Sequence, residues 1–139
     1  MNKKLLQWIS VLGLGLLGMG AAVAADVSPM TVSGATTVDA AGAKAQFDQG
    51  ALFVDVRSDK DWAAGRIPDA VHLELKGNYN EAVLAAEVGK DEPVVIYCNG
   101  ESCLRSSDAS AQAVGWGFQK VYYFRDGLPA WQAAGYPVE

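Results

Sequence analysis

Pro93-Val94-Val95-Ile96-Tyr97-Cys98-Asn99-Gly100-Glu101-Ser102-Cys103-Leu104-Arg105-Ser106-Ser107 is an apolar, β-branched run that ends in a cysteine. A short polar loop follows and leads straight into a helix-forming segment. That order predicts a thiol at the C-terminal end of a buried strand, facing loop amides and a helix N-terminus. Amides aimed at sulfur stabilise the thiolate and lower a pKa that starts near ~8.5. The competing reading is an inert core cysteine, since free Cys often behaves as a small hydrophobe. Core cysteines, however, have no need of a polar loop and a helix start directly after them.

Outward from this stretch, helical and extended patterns alternate. Asp39 to Gln49 predicts a helix, with Ala40, Ala43 and Phe47 near helical spacing and Gly50 as its stop. Ala51 to Val56 reads as a buried strand, and Lys60 to Gly65 as a short helix before Ile67-Pro68. Ala70 to Leu75 alternates as a strand, and Glu81 to Val88 suits a helix. Beyond the central strand Val94 to Tyr97 come a helix over Leu104 to Val114, a strand over Lys120 to Phe124 and a helix over Leu128 to Ala134. Ala109, Ala111 and Ala113 let the helix after the cysteine pack closely on a sheet. This alternation predicts an α/β fold, an open parallel sheet with helices on both faces. Ligands of such sheets bind beyond the carboxyl ends of the strands, where Cys98 falls. The sequence shows no internal repeat or low-complexity tract, and a single domain is expected.

The first 25 residues read as an export signal rather than as part of the fold. Lys3 and Lys4 give a positive start, Leu5 to Gly20 is apolar, and small residues around Ala22 to Ala25 offer cleavage after Ala24 or Ala25. Four glycines between Gly13 and Gly20 weaken the alternative of an uncleaved spanning helix. The expected address is the periplasm, with no stable membrane association after cleavage. Cleavage leaves about 114 residues, enough for one compact domain with a modest core. Residues 26–36 form an irregular lead-in, and the domain spans 37–138. Losing Lys3 and Lys4 and no acidic residue takes the formal charge from -5 to about -7. A chain so acidic, without a basic run, is a poor partner for nucleic acid or anionic membranes.

Both cysteines lie in one loop, five positions apart. An oxidising compartment permits a Cys98–Cys103 bridge, although so short a loop constrains little of the unfolded chain. The pair reads as chemistry rather than a staple, with its oxidation state open. With His72 as the sole histidine, no metal site is expected. No cofactor is expected either.

The chain resembles the rhodanese-like domain family in four segments that follow family order. Leu52 to Arg57 is similar to the family strand ending in Asp-Val-Arg, and Trp62 to Ala70 to its Gly-His-Ile-Pro-Gly-Ala turn. Val94 to Ser106 matches the active-site strand and loop, and Arg125-Asp126-Gly127-Leu128-Pro129-Ala130-Trp131 the closing Gly-Gly-x-x-x-Trp signature. The resemblance implies a rhodanese-like sheet and a sulfurtransferase in which the Cys98 thiolate takes a sulfane sulfur from a donor and passes it to a thiophilic acceptor. It also implies that Asn99, Gly100, Glu101, Ser102, Cys103, Leu104 and Arg105 form the persulfide-binding loop, their backbone N–H groups cradling the outer sulfur.

Three departures from the family pattern stand out. The common loop is Cys-x-x-Gly-x-Arg, but here Cys103 occupies the arginine position, and Arg105 comes seven after Cys98. Arg105 is therefore either a charge for the site or a residue of the exposed helix face. Glu101 adds negative charge beside the thiolate, which disfavours a dianionic donor such as thiosulfate. The turn carries Arg66 and Asp69 where the family has His and Gly. Cys103 is a candidate resolving thiol, able to attack a persulfide or sulfenic acid and close a disulfide. Its plain alternative is a small residue packed at a helix start.

Asp55 and Arg57 read as an ion pair that fixes neighbouring loops, His72 as a packed strand residue, and the aromatics as core or rim. The first functional expectation is a periplasmic sulfurtransferase using a small sulfur donor and a thiol or other thiophilic acceptor. The second is a thiol-redox or persulfide relay in which Cys98 and Cys103 serve a periplasmic redox protein. The third is a non-catalytic binding module, against which the retained Cys98 counts. A phosphatase or arsenate reductase would need arginine six positions after the cysteine, and position 104 is Leu.

Overall fold

The computed structural model describes residues 27–139; the expected signal peptide, 1–25, lies outside the described residues. The strands are β1 (Thr36–Thr37), β2 (Leu52–Asp55), β3 (Val71–His72), β4 (Pro93–Tyr97) and β5 (Lys120–Phe124). Between and after them run α1 (Ala40–Asp48), α2 (Asp59–Ala64), α3 (Glu81–Glu87), α4 (Arg105–Gly115) and α5 (Gly127–Ala133). The strands form one sheet in the order β1-β5-β4-β2-β3, and every pairing is parallel. This is the α/β architecture the alternating pattern predicts.

Side chains in β4 leave the sheet alternately to two cores. Val94 and Ile96 join Leu84 of α3 and Ala109 and Ala113 of α4 on one face. Val95 and Tyr97 join Ala43 of α1 and Leu128 and Trp131 of α5 on the other. A strand covered on both faces has no use for polar residues, which explains the unbroken apolar run before Cys98. Ala109 and Ala113 are fully buried and permit the close approach of α4 to the sheet, whereas Ala111 is exposed and takes no part in that contact.

Register brings the strand ends level. Asp55 is opposite Tyr97, and Tyr97 is opposite Phe124. The segments that follow β2, β4 and β5 therefore emerge together at one edge. Side-chain caps start three helices, from Asp39 to the Gly42 N–H, Ser58 to Asp61 and Asn80 to Val83. Leu104, which precedes α4, makes no such bond.

Two elements differ from the sequence expectation. β1 arises at the end of the lead-in, where two threonines pair with Tyr122 and Tyr123 of β5. Such a short edge strand carries no local pattern and exists because β5 offers a free edge. β3 is shorter than the stretch Ala70 to Leu75, because the chain turns away after His72. Leu73 and Leu75 still donate backbone bonds to the carbonyls of Asp55 and Val56.

Candidate active site

Cys98 follows directly on β4 and is completely buried, packed in the core with Val56 and Ala109. Its carbonyl accepts the Leu128 N–H at 3.0 Å. That contact brings the start of α5 against the end of β4, and Gly127 makes it feasible at φ +63°. A Cβ at position 127 would overlap the Cys98 carbonyl oxygen and lie 2.9 Å from the Gly100 nitrogen. Gly100, at φ +118°, turns the loop after the cysteine in a conformation other residues rarely adopt.

The sulfur of Cys98 is bonded to that of Cys103, with the two Cα atoms 6.3 Å apart. The oxidation state left open by the sequence is thus a disulfide in this structure. Cys103 donates its N–H to the Gly100 carbonyl at 3.0 Å. Among the described residues, the N–H groups of Asn99, Gly100, Glu101 and Ser102 reach no protein acceptor. Successive unpaired amides followed by a helix start make an environment suited to a thiolate or persulfide anion.

Two sets of side chains hold this loop. On one side Asn99 accepts from Arg57 Nη1 at 3.1 Å and donates to Asp61 Oδ2 at 2.9 Å. Arg57 is itself fixed by Asp55, through Nε to both carboxylate oxygens and Nη2 at 2.7 Å, and by the Gly65 carbonyl at 2.6 Å. The expected Asp55–Arg57 ion pair is therefore formed, and it is buried. Burial works against the Arg57 charge, but the hydrogen bonds and field of Asp55 outweigh it and raise its pKa. The Asn99 amide holds the Asp61 carboxyl below its ordinary value against a weaker opposing effect of burial. A cavity of about 250 Å³ lies beside this network, lined by Arg57, Asp61, Asn99, Leu128 and Gln132 among others.

On the other side the lead-in straps the loop. The carbonyl of Glu101 accepts both the N–H of Ser28 (2.7 Å) and its hydroxyl (2.8 Å). Arg125, which directly follows β5 and is itself buried, donates to the Ser28 carbonyl through Nε and Nη2 at 3.2 and 3.1 Å. Its Nη1 lies 3.4 Å from the Glu101 carboxylate. Tyr123 donates to the Pro29 carbonyl at 2.9 Å. The irregular lead-in is therefore part of the site's support.

The remaining loop residues divide. Ser102 is exposed and Leu104 is 40% exposed. Arg105 sends Nη1 to the Val56 carbonyl and to Glu74, each at 3.3 Å, so its charge is engaged at the ends of β2 and β3. Glu101 turns its carboxylate to Arg125 and leaves that side chain 70% exposed. A guanidinium and solvent exposure therefore oppose the repulsion of an anionic donor expected of this charge. Exposed pairs of this kind are worth about 0–1 kcal/mol, so Glu101→Gln should change KM for thiosulfate by no more than about five-fold. A larger improvement in steady-state kinetics would show that the carboxylate does oppose the donor.

His72 stacks on Trp62 at 4.8 Å, and its Nε2 lies 2.8 Å from the Arg57 carbonyl, a packed and satisfied strand residue as expected. Sequence reasoning missed Ser28, Asp61 and the site-side roles of Arg125 and Gly127. The last two stand inside the quoted Arg125-to-Trp131 segment, but nothing in a one-dimensional pattern marks Ser28.

Comparison with known proteins places these observations in a family. Residues 39–134 match the rhodanese-like domain. A protein of Pseudomonas savastanoi pv. phaseolicola named thiosulfate sulfurtransferase GlpE is 40% identical over 98 residues, covering 70% of this chain and 86% of that relative. A protein of Allochromatium vinosum named sulfurtransferase is 37% identical over 87 residues, covering 63% of this chain and 77% of its own length. The rhodanese-like domain of an Anabaena protein shares the fold at a TM-score of 0.63 and 24% identity, covering 74% of this chain and 77% of that one.

Proposed function

The chain belongs to the rhodanese-like domain family and is a sulfurtransferase, and on that premise we propose that it carries sulfane sulfur on Cys98. The observation that carries this reading is the position of Cys98 at the carboxyl end of the central strand, under a loop whose amides are unpaired. The proposed donor is thiosulfate or a persulfide. With the disulfide reduced, the Cys98 thiolate attacks the sulfane sulfur, the donor's S–S bond breaks, and sulfite or a thiolate leaves. The product is a Cys98 persulfide whose outer sulfur bears the negative charge, which the loop amides and the start of α4 stabilise. A thiolate or cyanide then attacks that outer sulfur and returns Cys98 to the thiolate. One transfer becomes two displacements. On this reading the protein works in the periplasm, exported by residues 1–25.

Intact mass spectrometry of the mature protein, reduced and then exposed to thiosulfate, tests the proposal. Gain of one sulfur on Cys98 is expected, and loss of that sulfur on adding cyanide. A reduced protein that takes up no sulfur from thiosulfate or from a low-molecular-weight persulfide would overturn it.

A second reading has its own support in the Cys98–Cys103 disulfide. In a redox or persulfide relay, the Cys103 thiolate attacks Sγ of Cys98 in a persulfide or mixed disulfide, the adduct's S–S bond breaks, hydrosulfide or the partner's thiolate leaves, and turnover passes through the bridge. Cys103→Ser separates the two. A simple sulfurtransferase keeps its reduced-state turnover within a few-fold, whereas a relay loses turnover and accumulates a stable Cys98 adduct.

A further inference from the structure

Resting on the sulfurtransferase reading, we infer that Cys103 is the sulfur through which a dithiol reductant switches the enzyme on. While the bridge is closed, Cys98 is bonded to Cys103 and is not a thiolate able to attack a sulfane sulfur, so activity waits on reduction. The two sulfurs of the bridge are not equivalent. Thiolate attack on a disulfide proceeds in line with the S–S bond, from behind the sulfur attacked. Behind Cys98 stands the core, since that residue is fully buried among Val56 and Ala109 and its carbonyl is covered by Leu128. Cys103 is only partly buried and lies between exposed Ser102 and exposed Leu104. Access therefore selects Cys103.

The leaving group selects the same sulfur. Exchange is faster when the departing thiol has the lower pKa. Attack at Cys103 expels the sulfur of Cys98, which departs as a thiolate at the head of the loop whose Asn99 to Ser102 N–H groups have no protein acceptor. Attack at Cys98 would expel Cys103 toward a partly solvated surface.

The balance is that of ordinary thiol–disulfide exchange. A reductant thiolate bonds to Sγ of Cys103, the Cys98–Cys103 bond breaks, and its electron pair stays on Cys98. The reductant's second thiolate then attacks the reductant sulfur in the mixed disulfide and releases Cys103 as a thiolate. The dithiol becomes a disulfide, two electrons reach the enzyme, and the two thiol protons pass to water or to the released sulfurs. A monothiol cannot finish in this way. Cys98 sits five positions from the mixed disulfide and re-closes the bridge at high effective concentration before a second monothiol arrives. The second thiol of a dithiol competes at a comparable effective concentration. The partner this chemistry fits is a dithiol reductant.

The oxidised mature protein is treated with a large excess of glutathione, so that a mixed disulfide is populated against re-closure, then quenched in acid within seconds and alkylated. Tandem mass spectrometry of the tryptic peptide Asp91–Arg105, which holds both cysteines, then locates the adduct. Glutathione on Cys103 with alkylated Cys98 is expected; the reverse pattern overturns the assignment. In a second arm, free Cys98 should appear at least about ten-fold faster with dithiothreitol than with glutathione at equal thiol concentration. Equal rates would overturn the preference for a dithiol, and sulfur uptake by the oxidised protein as fast as by the reduced one would overturn the switch. Adduct position and Cys98 release are read without sulfur transfer. A reduced protein inert toward sulfur donors would thus sink the function proposed above and leave the Cys103 result standing.

Discussion

Replacement of Cys98 by serine should lower sulfur transfer by at least about three orders of magnitude, because the thiol that follows β4 and carries the sulfur is lost. A serine hydroxyl is barely ionised where a thiol can be a thiolate, and the product of its attack on sulfur would be no persulfide. The fold should survive. The bridge closes a loop so short that its removal costs about 2 kcal/mol in the chain-entropy picture. The new hydroxyl, if unpaired, adds about 1–3 kcal/mol. Comparison with the reduced wild-type protein removes the first contribution. Circular dichroism and a denaturant midpoint report the fold, and sulfur gain by intact mass together with cyanide-dependent turnover report the chemistry. Undiminished turnover in a folded variant would refute the role of Cys98 altogether.

Gly127→Ala should be the most damaging substitution that touches no reactive atom. Two effects add. The residue sits at φ +63°, where any side chain costs about 1 kcal/mol or more. Its Cβ would also overlap the Cys98 carbonyl and crowd the Gly100 nitrogen at 2.9 Å, and these are backbone atoms that cannot rotate aside. Relief requires α5 to withdraw from the end of β4, with loss of the Leu128–Cys98 bond and displacement of the loop. We expect destabilisation of about 3 kcal/mol or more and little persulfide formation in the protein that remains folded. Gly135→Ala is the control. It shares the positive φ at +78° but has nothing within 4 Å of the added atom, so only the conformational cost applies. Urea midpoints of the two variants should differ clearly. Equal midpoints would mean that the α5–β4 contact is loose enough to admit a methyl group.

Much of the molecule was legible before folding because the relevant signals are local. The apolar runs Leu52 to Val54 and Val94 to Tyr97, and the helical spacing of Ala40, Ala43 and Phe47, lie within a few positions of what they specify. The same holds for the strand–loop–helix order around Cys98. β1 was not legible, since two threonines become a strand only when β5 lies beside them. The direction of Arg105 was likewise open until Glu74 and the Val56 carbonyl were brought within 3.3 Å of it.

From its sequence alone this protein has an α/β parallel sheet with a cysteine at the carboxyl end of the central strand, because both follow from short-range periodicity and chain order. What surrounds that cysteine was decided only by tertiary structure. Asn99 is held by Arg57 from 42 positions away, Glu101 by Arg125 from 24, and the Glu101 carbonyl by Ser28 from 73. These partners meet because the register sets three strand ends level, and the lead-in is drawn across them by Tyr123 and Arg125. Contacts over such separations depend on where the elements converge in space, and no pattern of neighbouring residues encodes that convergence.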